Sequence, residues 1–310
     1  MGSNPLSSKR SNLWGVIRLT RPGNLAIAAA TVYALHWGWL DRWTQTPQGR
    51  ESDALVMVGM AVVVLLMAAG NLINAYFDVE EDRINRPDRA IVDRLVKRRV
   101  LILTHQVLNA IGLILAGWLS YRTGNVLVFI FALLISYLLW RYSARWKGRP
   151  IVGNVVVASL LAAVPLWLLL IEWNAWPQAL RPTLALGLGT FSIFALAAGW
   201  MREMVKDALD IDGDRAAGKN TWAVIHGTGP TRRRITQGIG VTLLLYILVL
   251  VLLGPHTTPL QQWGCSLPAL TLILSGANLW IGPHRWNRTN ALLKLTLVLG
   301  FTQSLWLPVI

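Results

Sequence analysis

Asn71-Leu72-Ile73-Asn74-Ala75-Tyr76-Phe77-Asp78-Val79-Glu80-Glu81-Asp82-Arg83-Ile84-Asn85-Arg86-Pro87 continues, without a break, an apolar block that begins near residue 54. On a helix Asp78 and Asp82, four residues apart, share one face. Asn71, Asn74 and Asp78 carry that face back into the apolar block. Polar side chains at that depth are costly in hydrocarbon unless they look onto a cavity. The stretch therefore reads as the end of a membrane-spanning helix whose polar stripe borders an internal cavity, and other helices must supply the remaining wall.

The rest of the chain provides them. Of its 310 residues 54% are hydrophobic and only 14% charged, against about 25% charged in a soluble domain, and the mean hydropathy is +0.47. So little charge cannot cover a soluble protein of this size. A spanning helix takes about 20 mostly apolar residues. Blocks suited to that role lie at 24–40, 54–76, 99–120, 124–140, 151–171, 182–201, 236–254, 264–282 and 290–309, the first starting at Pro22-Gly23-Asn24. None alternates with a period of two, which excludes a β-barrel. The expected fold is all-α: a polytopic membrane protein of nine transmembrane helices around a central cavity. It forms one domain over residues 1–310, with a polar, basic N-terminal segment at 1–20 and no small-residue cleavage site of a secretory signal.

Charge gives the orientation. With the N-terminus cytoplasmic, 25 of the 29 Lys and Arg residues fall in the cytoplasmic segments and only Arg42, Arg50, Arg122 and Arg181 outside. That asymmetry places the protein in the cell membrane with its N-terminus in and its C-terminus out. It also explains the net charge of +14 without a nucleic-acid partner, since the basic residues lie in short loops and not on one solvated face. Cys265 is the single cysteine, so no intrachain disulfide or Cys-based metal site can form, and it reads as packing. His105 and His226 have no partners at ligand spacing. Trp37, Trp39, Trp173, Trp176 and Trp263 read as residues of an interfacial belt.

Acidic residues contribute little to orientation, yet 11 of the 15 lie in two segments, Asp78 to Asp93 and Glu203 to Asp214. Both follow even-numbered helices and face one compartment. The second reads Arg202-Glu203-Met204-Val205-Lys206-Asp207-Ala208-Leu209-Asp210-Ile211-Asp212-Gly213-Asp214, which puts Asp207, Asp210 and Asp214 on one helical face. Carboxylates so spaced repel, and a cation relieves them. Oxygen ligands select a hard ion, and a few carboxylates plus water suit Mg²⁺, which usually shares its sphere with substrate phosphates. Beside them Lys147 and Lys206 complete a site for a diphosphate at the mouth of a membrane cavity. Glu80, Glu81, Asp88, Asp93 and Asp212 read as surface charges.

These residues bring out a resemblance. The chain resembles the UbiA superfamily of intramembrane prenyltransferases, whose first motif, Asn-Asp-x-x-Asp-x-x-x-Asp, often continues to Asn-Arg-Pro. Asn74, Asp78, Asp82 and Asn85-Arg86-Pro87 match it. The second family motif often reads Lys-Asp-x-x-Asp-x-x-Gly-Asp, matched by Lys206, Asp207, Asp210, Gly213 and Asp214. Tyr142-Ser143, Lys147 and Gly153-Asn154 resemble the family's loop after helix 4, and Arg21-Pro22 with Asn24 its N-terminal signature. The likeness runs in order over residues 15 to 300. Ala75 departs from it, standing where the family usually has Asp, and so does the loop Ala90-Ile91-Val92-Asp93-Arg94.

The resemblance implies transfer of a prenyl group from a polyprenyl diphosphate, such as geranylgeranyl diphosphate. Asp78, Asp82, Asp207, Asp210 and Asp214 would be the catalytic Mg²⁺ ligands, and Asn71, Asn74, Lys147, Lys206, Arg21, Asn24, Tyr142 and Arg86 would bind substrate. The aromatic faces of Tyr76 or Tyr142 would stabilise an allylic cation. Asn85-Arg86-Pro87-Asp88-Arg89 with the second motif most resembles the branch making digeranylgeranylglyceryl phosphate, so the expected acceptor is geranylgeranylglyceryl phosphate. The alternatives are an aromatic quinone precursor as acceptor, or a non-catalytic prenyl-lipid-binding protein, which Ala75 would favour. Membrane lipids are the expected surroundings. Asp212-Gly213-Asp214-Arg215-Ala216 lacks the residue order and the downstream Gly and Asp of a CDP-alcohol phosphotransferase.

Overall fold

A computed structural model describes residues 13–40, 49–85, 87, 90–253, 258–281 and 286–305. Within them the chain is helical, and the one β-bridge joins Val92 to Val96. The helices are α1 (13–19), α2 (Pro22–Leu35), α3 (Gly49–Phe77), α4 (Val79–Asn85), α5 (Arg98–Thr123), α6 (Val126–Arg141) and α7 (Val152–Glu172). They continue as α8 (Arg181–Leu209), α9 (Ile211–Ala216), α10 (Trp222–His226), α11 (Thr228–Leu253), α12 (Pro259–Trp280) and α13 (Trp286–Thr302). Single π turns extend α2 over His36–Leu40 and α6 over Tyr142–Trp146.

Local signals set several of these ends. Pro22 opens α2, its fixed φ already helical, behind Arg21 in the left-handed region at φ 57°. Gly124, at φ 62°, closes α5, and the Asn125 side chain then caps α6 by accepting from the Leu127 amide at 3.1 Å. Thr258 and Gln261 form a capping box at the start of α12.

The apolar blocks coincide with helices as far as they are described. Six segments are long and apolar enough to cross a membrane: Ser52–Phe77, Arg98–Thr123, Val126–Trp146, Val152–Glu172, Gln178–Leu209 and Thr228–Leu252. The helices at the remaining three blocks, α2, α12 and α13, are shorter or carry more polar residues, such as Gln261, Gln262 and Asn278 on α12 and Arg288 and Lys294 on α13. The helix ends run past the apolar blocks, because backbone hydrogen bonding continues where side chains turn charged. Thus α8 extends two turns to carry Lys206 and Asp207, and α11 begins early enough to carry Arg232, Arg233 and Arg234.

Helix α3 packs on α5, α7 on α8, and α13 on α12, α8 and α2. At one end of the bundle Leu35, Leu40, Val56, Leu119, Leu168, Leu184 and Leu188 form a core with less than 3% of each residue exposed. Trp39 and Trp176 belong to that core and not to an interfacial belt, whereas Trp263 is exposed. Trp39 can pack there because Gly187 on α8 has no side chain: a Cβ at 187 would fall 1.9 Å from Trp39 Cη2. Three separated elements also meet here through buried charge. His36 Nε2 lies 2.9 Å from Asp53 Oδ1, and its Nδ1 2.9 Å from Glu172 Oε1. Ser52 Oγ donates to Glu172 Oε1 at 3.1 Å. On the outside, Leu103, Ile114, Leu244, Val251 and Leu260 are exposed, an apolar surface suited to lipid and too extensive for water.

Candidate active site

The opposite end of the bundle gathers the segments after α3, α6 and α8. Both acidic segments sit at breaks in their helices. Asp78 separates α3 from α4, and Asp210, at φ −100° and ψ 13°, separates α8 from α9. The i to i−4 hydrogen bonds nevertheless continue through both, from Asp78 to Asn74 and Asp82 to Asp78, and from Asp210 to Lys206 and Asp214 to Asp210. Asp207, Asp210 and Asp214 therefore lie around a kink and not on the uninterrupted helical face expected from their spacing.

The two breaks are held together by Asn85. Its Oδ1 accepts from the Gly213 amide at 3.1 Å and its Nδ2 donates to the Asp210 carbonyl at 3.4 Å. Gly213 has to be glycine for this contact, since a Cβ there would come within 2.2 Å of Asn85 Nδ2. These bonds give both motif residues a structural part: together they fix one acidic segment on the other.

Between the segments lies a cavity of about 680 Å³. Asp78, Asp82, Asp207, Asp210 and Asp214 line it, with Asn71, Asn74, Lys147, Lys206, Arg21, Asn24 and Tyr142. Arg86, also expected at the site, lies outside the described residues. Tyr76 does not line the cavity and packs edge-on against Phe77. The deep wall is apolar and aromatic, with Trp39, Phe131, Trp167, Phe191 and Phe194 among its residues. Leu186 on α8 and Leu252 on α11 line the cavity and are also exposed, so its apolar half reaches the lipid-facing side.

Charge is arranged in two groups. In the first, Lys147 Nζ lies 3.2 Å from Glu81 Oε2 and closer still to Asp78 Oδ2, which also accepts from Asn74 Nδ2. Lys219 pairs with the other oxygen of Glu81. Burial works against the charge on Lys147, but the carboxylates of Asp78 and Glu81 outweigh it and hold its pKa above that of an ordinary lysine. Asp207 accepts from Asn154 Nδ2 at 2.8 Å. Asp214 is pushed up to about 6, by burial first and by Glu81 and Asp210 in addition, against the pull of Lys219 and Lys147. In the second group Glu203 is buried against Lys206 at 2.6 Å and Arg202 at 3.7 Å, and Lys294 Nζ reaches Asn24 Oδ1 at 3.5 Å. Arg21, Arg202, Lys206 and Lys294 line the cavity here with one carboxylate among them.

The donor set fits a hard divalent cation. All of its candidate ligands are oxygens, and Asn74 Oδ1 is buried without a hydrogen-bond partner. Among the described residues no three His, Cys, Asp or Glu side chains converge on one point.

Sequence reasoning placed Glu81 on the surface, and the structure corrects this: Glu81 is buried, as is Glu203, whereas Glu80 and Asp212 are exposed. Arg202 and Lys294 also line the cavity without belonging to either motif, and Lys219 and Lys294 find their partners, Glu81 and Asn24, on other elements. Asn71 lines the cavity, but its amide donates to the Thr20 carbonyl at 2.8 Å and tethers the N-terminal segment.

A helical membrane bundle with two facing acidic segments at the mouth of an apolar cavity defines an intramembrane prenyltransferase, and residues 24–301 match the model of the UbiA prenyltransferase family. The chain belongs to that family. It is 34% identical over 215 residues, 68% of each chain, to the digeranylgeranylglyceryl phosphate synthase of Thermococcus gammatolerans. Its fold is similar to that of a UbiA homolog from Aeropyrum pernix K1, with a TM-score of 0.66 and 18% identity over 93% of this chain and 96% of that one. It is also similar to a UbiA homolog from Archaeoglobus fulgidus bound to GPP and Mg²⁺, with a TM-score of 0.60 and 17% identity over 93% and 99%.

Proposed function

We propose that this prenyltransferase moves a geranylgeranyl group from its diphosphate to the free hydroxyl of geranylgeranylglyceryl phosphate. The observation that carries this reading is the pair of charge groups at one cavity mouth. The carboxylate group suits a metal-bound diphosphate, while Arg21, Arg202, Lys206 and Lys294 suit a second anion bound without metal, the acceptor's phosphate. The curated relative named above, a digeranylgeranylglyceryl phosphate synthase, supports the same acceptor over an aromatic one.

Asp78, Asp82, Asp207, Asp210 and Asp214 would hold Mg²⁺, which when bound neutralises charge developing on the leaving diphosphate. Lys147 adds a fixed positive charge beside it, and Asn85 with Gly213 sets the distance between the two acidic segments. The bond between the prenyl carbon and the diphosphate oxygen breaks, its electron pair leaving with diphosphate. The acceptor oxygen then bonds to the allylic carbon and releases its proton. The apolar wall keeps water from that carbon, and the ring of Tyr142 faces the same space, where its π cloud favours positive charge. Electrostatic stabilisation of the leaving group is the main source of rate.

We read the whole chain as one domain of nine spans, with α2, α12 and α13 completing the six given above and the site mouth on the cytoplasmic side. The 25-to-4 division of basic residues supports that orientation. The test is diphosphate release from geranylgeranyl diphosphate by purified protein, with and without Mg²⁺. Release should need both the metal and geranylgeranylglyceryl phosphate, and should be lost with geranylgeranylglycerol, which lacks the phosphate. Equal turnover with an aromatic acceptor would move the protein to the quinone branch. Tight binding of the diphosphate without release under any condition would make it a binding protein.

A further inference from the structure

Glu81 is 7% exposed in a segment whose neighbours Glu80 and Arg83 face solvent. A carboxylate is seldom buried unless a cation meets it, and Glu81 meets two. Lys147 comes from the end of α6 and Lys219 from the turn before α10. Glu81 also lines the cavity and shares the Lys147 ammonium with Asp78, so two carboxylates one helical turn apart converge on a single cationic centre. Asn74 Oδ1, nine-tenths buried and without a hydrogen-bond partner, lines the same cavity. Ala75, by contrast, packs in an apolar cluster with Leu72, Val79, Val92, Val96 and Leu101 and does not line the cavity.

We propose that Glu81 is a further carboxylate ligand of the first acidic segment, binding the divalent cation together with Asp78. The proposal rests on the metal-dependent reading given above. The Lys147 ammonium marks the place: it is held where one positive charge satisfies both carboxylates, and a divalent ion satisfies them better. Carboxylate oxygen is the right donor for Mg²⁺. Lys147 and Lys219, each paired with Glu81 when no metal is bound, then become available to the phosphate oxygens that accompany the ion.

The test uses the full chain in detergent and measures Mg²⁺ binding by calorimetry, and Mn²⁺ binding by electron paramagnetic resonance, in the presence of inorganic diphosphate. Glu81→Gln should weaken binding by about tenfold or more, the scale on which changes around a metal site act. Glu81→Asp, which keeps the carboxylate on a shorter stem, should bind more tightly than Glu81→Gln and shift the balance between Mg²⁺ and Mn²⁺. Asp212→Asn, at an exposed site, should bind like the parent. Glu81→Gln binding as tightly as the parent would overturn the proposal. So would weak binding by Glu81→Gln that Glu81→Asp neither relieves nor changes in its preference between Mg²⁺ and Mn²⁺, since a carboxylate that only holds lysines in place does not alter the choice of ion. If Glu81→Gln does not fold, Glu81→Asp decides: a changed ratio of Mg²⁺ to Mn²⁺ affinity supports Glu81 as the ligand, and an unchanged ratio overturns it. Failure of the parent protein to bind either ion would refute the metal-dependent reading itself, and this proposal with it. Ordinary binding by the parent together with an indifferent Glu81→Gln would refute the proposal alone.

Discussion

Replacing Gly213 by alanine tests whether the two acidic segments work as one unit. The new methyl would lie 2.2 Å from Asn85 Nδ2 and 2.4 Å from Asn85 Oδ1, so the Asn85 amide must swing away and lose its bonds to the Gly213 amide and the Asp210 carbonyl. Each such bond contributes about 0.5–1.5 kcal/mol, so the docked arrangement weakens by about 1–3 kcal/mol, roughly 5- to 150-fold in its population. Alanine also returns about 0.5–1 kcal/mol, because a glycine in a helix is unfavourable. The assay is kcat/KM for prenyl transfer, with the Mg²⁺ midpoint measured alongside, in a double-variant cycle with Asn85→Ala. In the parent background Gly213→Ala should lower kcat/KM and raise the Mg²⁺ midpoint. In the Asn85→Ala background no amide remains to be displaced, so the same substitution should be neutral or slightly favourable. Equal losses in both backgrounds would show that Asn85 does not couple the segments.

Asp78→Asn and Asp210→Asn should each reduce diphosphate release by about 100-fold or more, while Asp212→Asn, exposed on the same segment, should leave it unchanged in the same assay. Asp214 is raised to about 6 in the folded protein. The ion needs the carboxylate deprotonated, so Mg²⁺ affinity should be full well above pH 6 and fall as pH drops through that value. A calorimetric titration between pH 5 and 8 that shows no such decline would contradict the burial of this group. Gly187→Ala places a methyl against Trp39, and overpacking of this kind costs about 1–3 kcal/mol. It should appear as a lower melting temperature in detergent, partly recovered by Trp39→Phe; an unchanged melting temperature would argue against the close contact of α2 and α8.

The bundle was legible because apolar blocks and loop charge are properties of consecutive residues. So were the two acidic segments, whose spacing survives the breaks at Asp78 and Asp210 since the backbone bonds run on through them. What escaped the sequence is partnership between distant positions. Glu81 has the local pattern of a solvated helix end, and only Lys147 and Lys219, 66 and 138 residues further on, bury it. The His36, Asp53 and Glu172 group is drawn from three helices and leaves no period to find. Trp39 and Trp176 look like belt residues because composition does not show that Gly187 makes room or that neighbouring helices close over them.

The far end of the bundle has a consequence for the traffic of charge. There the core is apolar, and His36 ties α2 to the start of α3 and the end of α7 beneath it. Among the described residues the cavity wall turns mostly apolar from Asp78 and Asp207 toward Leu35 and Trp39, the shape of a cul-de-sac and not of a passage. Diphosphate set free at the mouth returns to the compartment it came from, while the prenyl chains of the product have the lipid-facing opening beside Leu186 and Leu252. On this reading a turnover should carry no ion across the membrane. A vesicle containing the working enzyme should hold its potential undiminished while the lipid product accumulates in its wall.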